Sequence, residues 1–179
     1  FIADADNNGV IQITKDNVKV SFQDGSSLSG LDVSRPGFAG WDEMTGTGIR
    51  ITAKNVSLTN ARVHGYKIGI HATDADGLTL DTIDASDNYR AHLRSTRLAE
   101  DGGDWLSGHH NNNGEWNQRY GGAISVQKAK GVTIKNVFVR RGQNGVLLDR
   151  VTDSKIYDND LSFLSGWGLA MWRSSGNTI

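Results

Sequence analysis

The stretch GVTIKNVFVRRGQNGVLLDRV, residues 131–151, decides the fold prediction because it contains three short runs in which apolar residues alternate with other residues. The alternating positions are Val132-Ile134, Val137-Val139 and Val146-Leu148. This alternation is typical of β-strands that turn one face toward a core, and the Gly and Asn residues between the runs are typical of turns. The stretch is therefore interpreted as three strands joined by tight turns.

The same pattern recurs along the chain at a fixed spacing. Leu58 and Leu80 are 22 residues apart, as are Ile134 and Ile156. The upstream runs IQITKDNVKV and IRITAKNVSL also match each other in spacing. Helical solenoids have a period of 3.6 residues within each repeat, and that period is absent from this sequence. Short strands at this spacing predict an all-β fold, a right-handed parallel β-helix of about 22 residues per coil.

Two breaks in the spacing predict loop insertions within a single domain that spans residues 1–179. Val18 and Val56 are 38 residues apart, which places one insertion near residues 33–47. Leu80 and Ile134 are 54 residues apart, which places the other at residues 95–121. Because open solenoid ends expose unpaired backbone and both ends lack a cap, we expect a piece of a longer helix or completion by a second chain.

The composition argues against several functional classes. The formal net charge of −1 disfavours binding to nucleic acid or to a membrane surface through bulk charge. The chain contains no cysteine, so disulfides and thiolate metal sites are excluded. No run approaches the roughly 18 apolar residues of a membrane span. We therefore expect neither a nucleic-acid partner nor a membrane span.

Asparagine recurs near the first bend of the repeats, at Asn60, Asn136 and Asn159, with Thr82 in the matching position of another repeat. Stacked Asn side chains in such a turn can form a hydrogen-bonded ladder. Asn also tolerates left-handed turn geometry. The sequence leaves both interpretations open.

Alternation in the third strand of each repeat separates residues that face the core from residues that face outward. Two rows are expected to face inward: Ile49, Ile70, Ala91, Ile124, Val146 and Leu169, and then Ile51, Ala72, Leu93, Val126, Leu148 and Met171. Two rows are expected to face outward: Arg50, His71, His92, Ser125, Leu147 and Ala170, and then Thr52, Thr73, Arg94, Gln127, Asp149 and Trp172. In the register that turns Ala91 inward, His71 stacks directly beneath His92.

The outward rows and the turns beside them predict an elongated groove. The candidate catalytic residues are His71, His92, Arg94, Asp149 and Tyr89. The candidate substrate-binding residues are Arg50, Tyr66, Lys67, Arg90, Gln127, Arg140, Trp167 and Trp172. Stacked histidines favour a neutral imidazole that can act as a base, while Arg and His suit carboxylate groups and aromatic rings pack on sugar faces. For any one histidine, the alternative is a surface residue on a solvated face.

Several acidic residues allow further interpretations. Asp149 could form the carboxylate pair of a glycoside hydrolase with Asp87 or with Glu115, although no spacing rule links them. The run EDGGD, residues 100–104, could bind calcium through clustered oxygens, or it could be a solvated acidic turn. No metal ligand set is assigned.

Two other motifs keep open alternatives. The tract GHHNNN, residues 108–113, resembles a metal-binding tract, but adjacent histidines on a loop rarely converge on one ion. Trp167 and Trp172 could form a platform for sugar rings, or they could cover an apolar face.

The repeats KGVTIKNVFVRRGQNGVLLDRV and YDNDLSFLSGWGLAMWRSSGNTI resemble those of the right-handed β-helix proteins of the pectate-lyase-like superfamily, in particular its bacterial secreted members. The resemblance covers nearly the whole chain except the two insertions. It implies an extracellular or periplasmic protein that acts on polysaccharides, with its groove on the sheet described above. The signatures of polygalacturonases, pectate lyases and mannuronan epimerases are absent, so the resemblance does not imply a specific substrate.

These observations lead to a first hypothesis of a lyase or hydrolase that acts on an acidic polysaccharide. In a lyase, Arg50 or Arg94 would neutralise the uronate carboxylate, and His71 or His92 would abstract the adjacent proton. Tyr89 or a water molecule would protonate the leaving oxygen, and the second insertion would lie over the groove as a wall or lid. The alternatives are a non-catalytic β-helix for carbohydrate binding or adhesion and a structural segment like that of a tailspike.

Overall fold

The computed structural model describes residues 1–91 and 110–179, and in these residues the chain is almost entirely strands and turns. The strands are β1 (Ile11–Ile13), β2 (Lys19–Ser21), β3 (Leu28–Ser29), β4 (Thr47–Ile51), β5 (Ser57–Thr59), β6 (Val63–His64), β7 (Ile68–Thr73), β8 (Thr79–Asp84), β9 (Gly122–Lys130), β10 (Thr133–Phe138), β11 (Val146–Thr152), β12 (Lys155–Tyr157) and β13 (Leu169–Trp172). A 3₁₀ turn at Trp41–Glu43 and a π-helical turn at Trp116–Tyr120 are the helical elements of the described residues. The prediction of an all-β fold is confirmed.

The strands form three sheets in which each paired strand runs parallel to its neighbour. A six-stranded sheet has the order β1-β4-β7-β9-β11-β13, and a five-stranded sheet has the order β12-β10-β8-β5-β2. Strands β3 and β6 form a two-stranded sheet. From β1 to β8, successive strands belong in turn to the six-, five- and two-stranded sheets. From β9 onward, successive strands alternate between the six- and five-stranded sheets. This path places residues one repeat apart side by side on the same sheet.

The core lies between the sheets and contains the inward rows that alternation predicts. Ile49, Ile70, Ile124 and Val146 form one row of register partners, and each of them is fully buried. Their neighbours two positions on, Ile51, Ala72, Val126 and Leu148, are fully buried as well. Leu169 and Met171 are less covered because β13 is an edge strand, and the Met171 side chain is 44% exposed. Leu93 lies outside the described residues.

The backbone at the first bend of the repeats has left-handed geometry. Asn60 and Asn136 have φ values of 57° and 53°, and Thr82 has a φ of 56°. The side chain of Asn136 donates a hydrogen bond to Asp81 and not to another asparagine. An Asn–Asn contact does occur at a different turn, where Asn55 Nδ2 donates to Asn17 Oδ1 at 3.0 Å. The left-handed interpretation therefore holds at the positions that the sequence singled out, except at Asn159.

A second group of asparagines fastens neighbouring repeats together. Asn88 Oδ1 accepts a hydrogen bond from the Tyr66 backbone N–H at 3.0 Å, and its Nδ2 donates to the Val63 and Ala85 carbonyls at 2.8 and 2.9 Å. Asn159 and Asn177 each bind the preceding repeat in the same way, through one N–H and one carbonyl. These amides add hydrogen bonds between backbone groups of neighbouring repeats to those of the strand ladders.

Within residues 1–91 and 110–179, none of the helical segments has the length and apolar character needed to cross a membrane.

Candidate functional site

The two outward rows of the six-stranded sheet have the register that alternation predicts wherever the structure describes them. The first row pairs Arg50, His71, Ser125, Leu147 and Ala170 across neighbouring strands. The second row pairs Thr73, Gln127, Asp149 and Trp172 in the same way. The candidate site is built on these two rows.

The neighbour of His71 in the next strand of the sheet is Ser125, in the place that the prediction gave to His92. Strand β7 is paired with β4 on one side and with β9 on the other, so the register partner of His71 in the following strand is Ser125. Both hydrogen-bonding edges of β7 are therefore in use, one by β4 and the other by β9. His92 and Arg94 themselves lie outside the described residues, as does the acidic run at 100–104 that was considered for calcium.

His71 is half-buried and surrounded by polar side chains. Its Nε2 lies 3.3 Å from Asn117 Nδ2, 3.3 Å from Thr73 Oγ1 and 3.4 Å from Gln127 Oε1. Ser125 Oγ donates to Asn117 Oδ1 at 2.8 Å, which turns the Asn117 amide N–H toward the imidazole. Asn117 and Thr73 can donate to Nε2, whereas Gln127 Oε1 can only accept from it, so the tautomer of His71 decides which of these hydrogen bonds forms.

The electrostatic environment keeps His71 neutral. Burial lowers its pKa below the ordinary value of 6.5, the hydrogen bond with Gln127 opposes that effect, and the charge of Arg50 adds to the lowering. Arg50 is the register partner of His71 on β4, and its Nη2 donates to the Asn7 carbonyl at 3.3 Å. A neutral base and a cation therefore stand side by side on the outward face.

The second long connection joins β8 to β9, and its end, residues 110–121, covers the part of the six-stranded sheet toward β13. Trp116 and Tyr120 from the π-helical turn pack with Leu147 and Ala170 into a second apolar cluster. Trp167 and Trp172 complete this cluster, with ring centroids 5.5 and 6.3 Å from that of Trp116. Of the two interpretations of these tryptophans, the structure supports the cover of an apolar face, because their rings contact Trp116.

Asp149 is the register partner of Trp172 in the second outward row and is only 4% exposed. Its Oδ2 accepts a hydrogen bond from Arg150 Nη1 at 3.0 Å, while its buried Oδ1 has no hydrogen-bond partner. Burial raises the pKa of the carboxyl, and this effect outweighs the opposing charges of Arg150, Arg173 and Lys128. The ionised form of Asp149 is therefore poorly solvated in the folded chain.

We expect Asp149→Asn to raise the thermal unfolding temperature at pH 7. A carboxylate whose folded pKa lies above its unfolded value destabilises the folded state wherever it is ionised, and a neutral amide removes that charge. The gain should shrink as the pH falls through the folded pKa and vanish below the ordinary value of 3.8, where both states bind the proton. The measurement is thermal unfolding followed by circular dichroism at pH 7 and pH 3.5, with the exposed Asp158→Asn as control. A lower unfolding temperature at pH 7 would contradict the expectation.

The remaining substrate-binding candidates do not lie together in the structure. Tyr66 is wrong as a groove residue because it is 1% exposed within the main core, and its hydroxyl donates to the Ile2 carbonyl at 2.7 Å. Arg140 forms an ion pair with Asp160 at 2.5 Å, and its guanidinium lies over the rings of Phe138 and Phe163. None of these partners belongs to the two outward rows.

Lys67 directly precedes β7, and Tyr89 and Arg90 lie in the connection that follows β8. Lys67 Nζ donates to the Gln118 carbonyl and sits 5.5 Å from the centroid of the Tyr89 ring. Burial raises the pKa of Tyr89, so its phenol stays protonated at neutral pH. Arg90 lies 5.6 Å from the Trp41 ring, and both residues line a cavity of about 530 Å³.

The sequence interpretation missed Asn117. Its amide bridges His71 and Ser125, and therefore fixes the orientation of the candidate base. Asn117 comes from the second long connection, whose residues follow no repeat, so neither spacing nor alternation pointed to it. In residues 1–91 and 110–179, no three acidic or histidine side chains converge to hold a metal ion.

Comparison of the chain with protein-family models, with curated proteins and with solved structures found no match.

Proposed function

We propose that the chain is a right-handed parallel β-helix that cleaves an acidic polysaccharide by β-elimination outside the cytoplasm, in the extracellular space or the periplasm. The proposal of a β-helix is supported by the parallel pairing of every sheet and by register partners one repeat apart, such as Leu58 with Leu80 and Ile134 with Ile156. An elongated sheet face that presents the same positions in every coil suits a linear polymer.

The observation that carries the proposed reaction is the side-by-side placement of a neutral His71 and the cation Arg50. In β-elimination, Arg50 pairs with the uronate carboxylate and so acidifies the adjacent C–H. His71 then removes that proton. The electron pair of the C–H bond forms a carbon–carbon double bond, and the neighbouring carbon–oxygen bond breaks. Tyr89 or a water molecule returns a proton to the leaving oxygen.

Hydrolysis is supported less well because the candidate carboxylates are engaged separately. Asp149 is buried and bound to Arg150, whereas Asp87 accepts a two-pronged ion pair from Arg141 at 2.6 and 2.7 Å. Glu115 accepts hydrogen bonds from Asn113. A glycoside hydrolase requires two carboxylates that flank one bond, about 5–10 Å apart. The histidine–arginine pair therefore favours the lyase.

Binding without turnover is the second candidate function, and the position of Asn117 favours it. The Asn117 amide lies within hydrogen-bonding distance of Nε2, so a substrate must displace Asn117 before His71 can accept a proton there. In that case the π-helical turn that carries Asn117 would form a wall over the bound polymer and would not move away to let His71 react.

The test is incubation of the full chain with a panel of uronate polysaccharides while the ultraviolet absorbance of unsaturated products is followed. The proposal expects absorbance to rise with at least one polymer and expects no rise with a neutral glucan. New reducing ends without that absorbance would indicate hydrolysis. Retention of polymer in affinity electrophoresis without any cleavage product would instead support the binding function and overturn the lyase.

A further inference from the structure

Ser29 and His64 form a close pair on the two-stranded sheet, whose strands share no residue with the His71 site. The two residues are register partners on β3 and β6, and Ser29 Oγ lies 2.6 Å from His64 Nε2. Both side chains are half-buried. A serine hydroxyl this close to an imidazole nitrogen has the geometry of a nucleophile and its general base.

The surroundings of His64 favour the neutral imidazole that such a base requires. Burial lowers the pKa of His64, while the charges of Asp84 and Asp87 oppose that effect and Arg62 adds to it. A neutral imidazole can accept the Ser29 hydroxyl proton at Nε2, provided that its own proton is on Nδ1.

A cavity of about 280 Å³ adjoins His64. Arg62 and Arg141 line it together with Asp32, Asp84 and Asp87: Arg62 Nε lies 3.6 Å from Asp84, and Arg141 holds Asp87 through two hydrogen bonds. Because both arginines are paired, the cavity suits an uncharged ligand better than an anion. Its volume lies near the lower limit for small-molecule pockets, so the ligand is small.

We propose that Ser29 and His64 are the nucleophile and base of a second site, which hydrolyses small uncharged carboxylic esters. Ser29 Oγ bonds to the acyl carbon while His64 takes the hydroxyl proton and then gives it to the departing alcohol oxygen as the ester bond breaks. His64 then deprotonates a water molecule, which attacks the acyl carbon; the bond from that carbon to Ser29 Oγ breaks, His64 returns the proton to Oγ, and the carboxylic acid leaves. Arg62 lines the cavity, and the N–H groups of its guanidinium can donate to the negatively charged oxygen that develops on the ester carbonyl.

The experiment is covalent labelling of the full chain with a fluorophosphonate, a probe that reacts with activated serines, followed by peptide mass spectrometry. We expect the label on Ser29, and we expect Ser29→Ala to abolish it. His64→Gln should slow labelling and the hydrolysis of p-nitrophenyl acetate by about 10²-fold or more, the range that general bases contribute. Ser57→Ala, which removes a half-buried serine from the five-stranded sheet, is the matched control and should label as the parent chain does.

Labelling that is absent, that falls on another residue, or that proceeds at the parent rate in His64→Gln would overturn the proposal. Circular dichroism of each variant separates loss of the site from loss of the fold. The pH profile gives a second readout: with Asp84, Asp87 and Arg62 facing His64, its base form should be fully present by neutral pH. A labelling rate that still rises steeply above pH 8 would exclude His64 as the base.

Discussion

Replacement of His71 by glutamine is expected to lower the rate of β-elimination by about 10²–10⁴-fold, the contribution typical of a general base. Glutamine keeps a hydrogen-bonding amide among Asn117, Thr73 and Gln127, but it cannot accept a proton at neutral pH. The measurement is the initial rate of product absorbance on the uronate polymer that the panel identifies. Binding of that polymer should change little, because Arg50 still pairs with its carboxylates.

The parent chain should lose this activity on acidification only at pH values below about 6.5, because burial and Arg50 lower the pKa of His71 from its ordinary value. The matched control is His110→Gln, since His110 is an exposed histidine that lies 4.0 Å from Glu115 and outside both outward rows. Its rate should equal that of the parent chain. Full activity in His71→Gln would remove His71 from the mechanism.

Substitution of Asn88 by alanine is expected to reduce the free energy of unfolding by about 3 kcal/mol or more. Asn88 is 1% exposed, and its amide satisfies the Tyr66 N–H and the Val63 and Ala85 carbonyls. Each backbone group left unpaired in a buried position costs about 1–3 kcal/mol. Urea unfolding followed by circular dichroism measures the change as a lower midpoint.

Asn177→Ala is the matched control for this prediction. Asn177 also binds the preceding repeat through one N–H and one carbonyl, at Ser154 and Val151, but it lies half-buried near the sheet edge, where water can replace the amide. Its substitution should cost less than about 1 kcal/mol. Equal costs at the two positions would show that burial does not set the strength of these contacts.

The pairing of Arg50 with His71, and of Gln127 with Asp149, could be predicted because a strand alternates its faces with a period of two and the repeats recur at nearly constant spacing. The burial of Ile49 and Ile70 followed from the same two periods. Tyr66 was misplaced because it sits in a turn, where alternation no longer decides which way a side chain points.

The predicted neighbour of His71 differs from the observed one for a related reason. The strand beside β7 is β9, which begins at Gly122. The motif AHLRS, residues 91–95, has the alternation of a strand, but alternation alone does not determine which segment pairs with β7. The register of a strand depends on which edge is free, and that is a property of the assembled sheet.

By itself the sequence determined the all-β character, the pairing of strands one repeat apart and the outward position of His71, because backbone periodicity is a local property that residues one repeat apart share. The tertiary structure alone decided that Asn117 orients His71, that Trp116 packs against Trp172, and that Ser29 meets His64. Asn117 and Trp116 lie in a connection that follows no repeat, and Ser29 and His64 lie on paired strands whose register is set by the assembled sheet. No local pattern in the sequence encodes either arrangement.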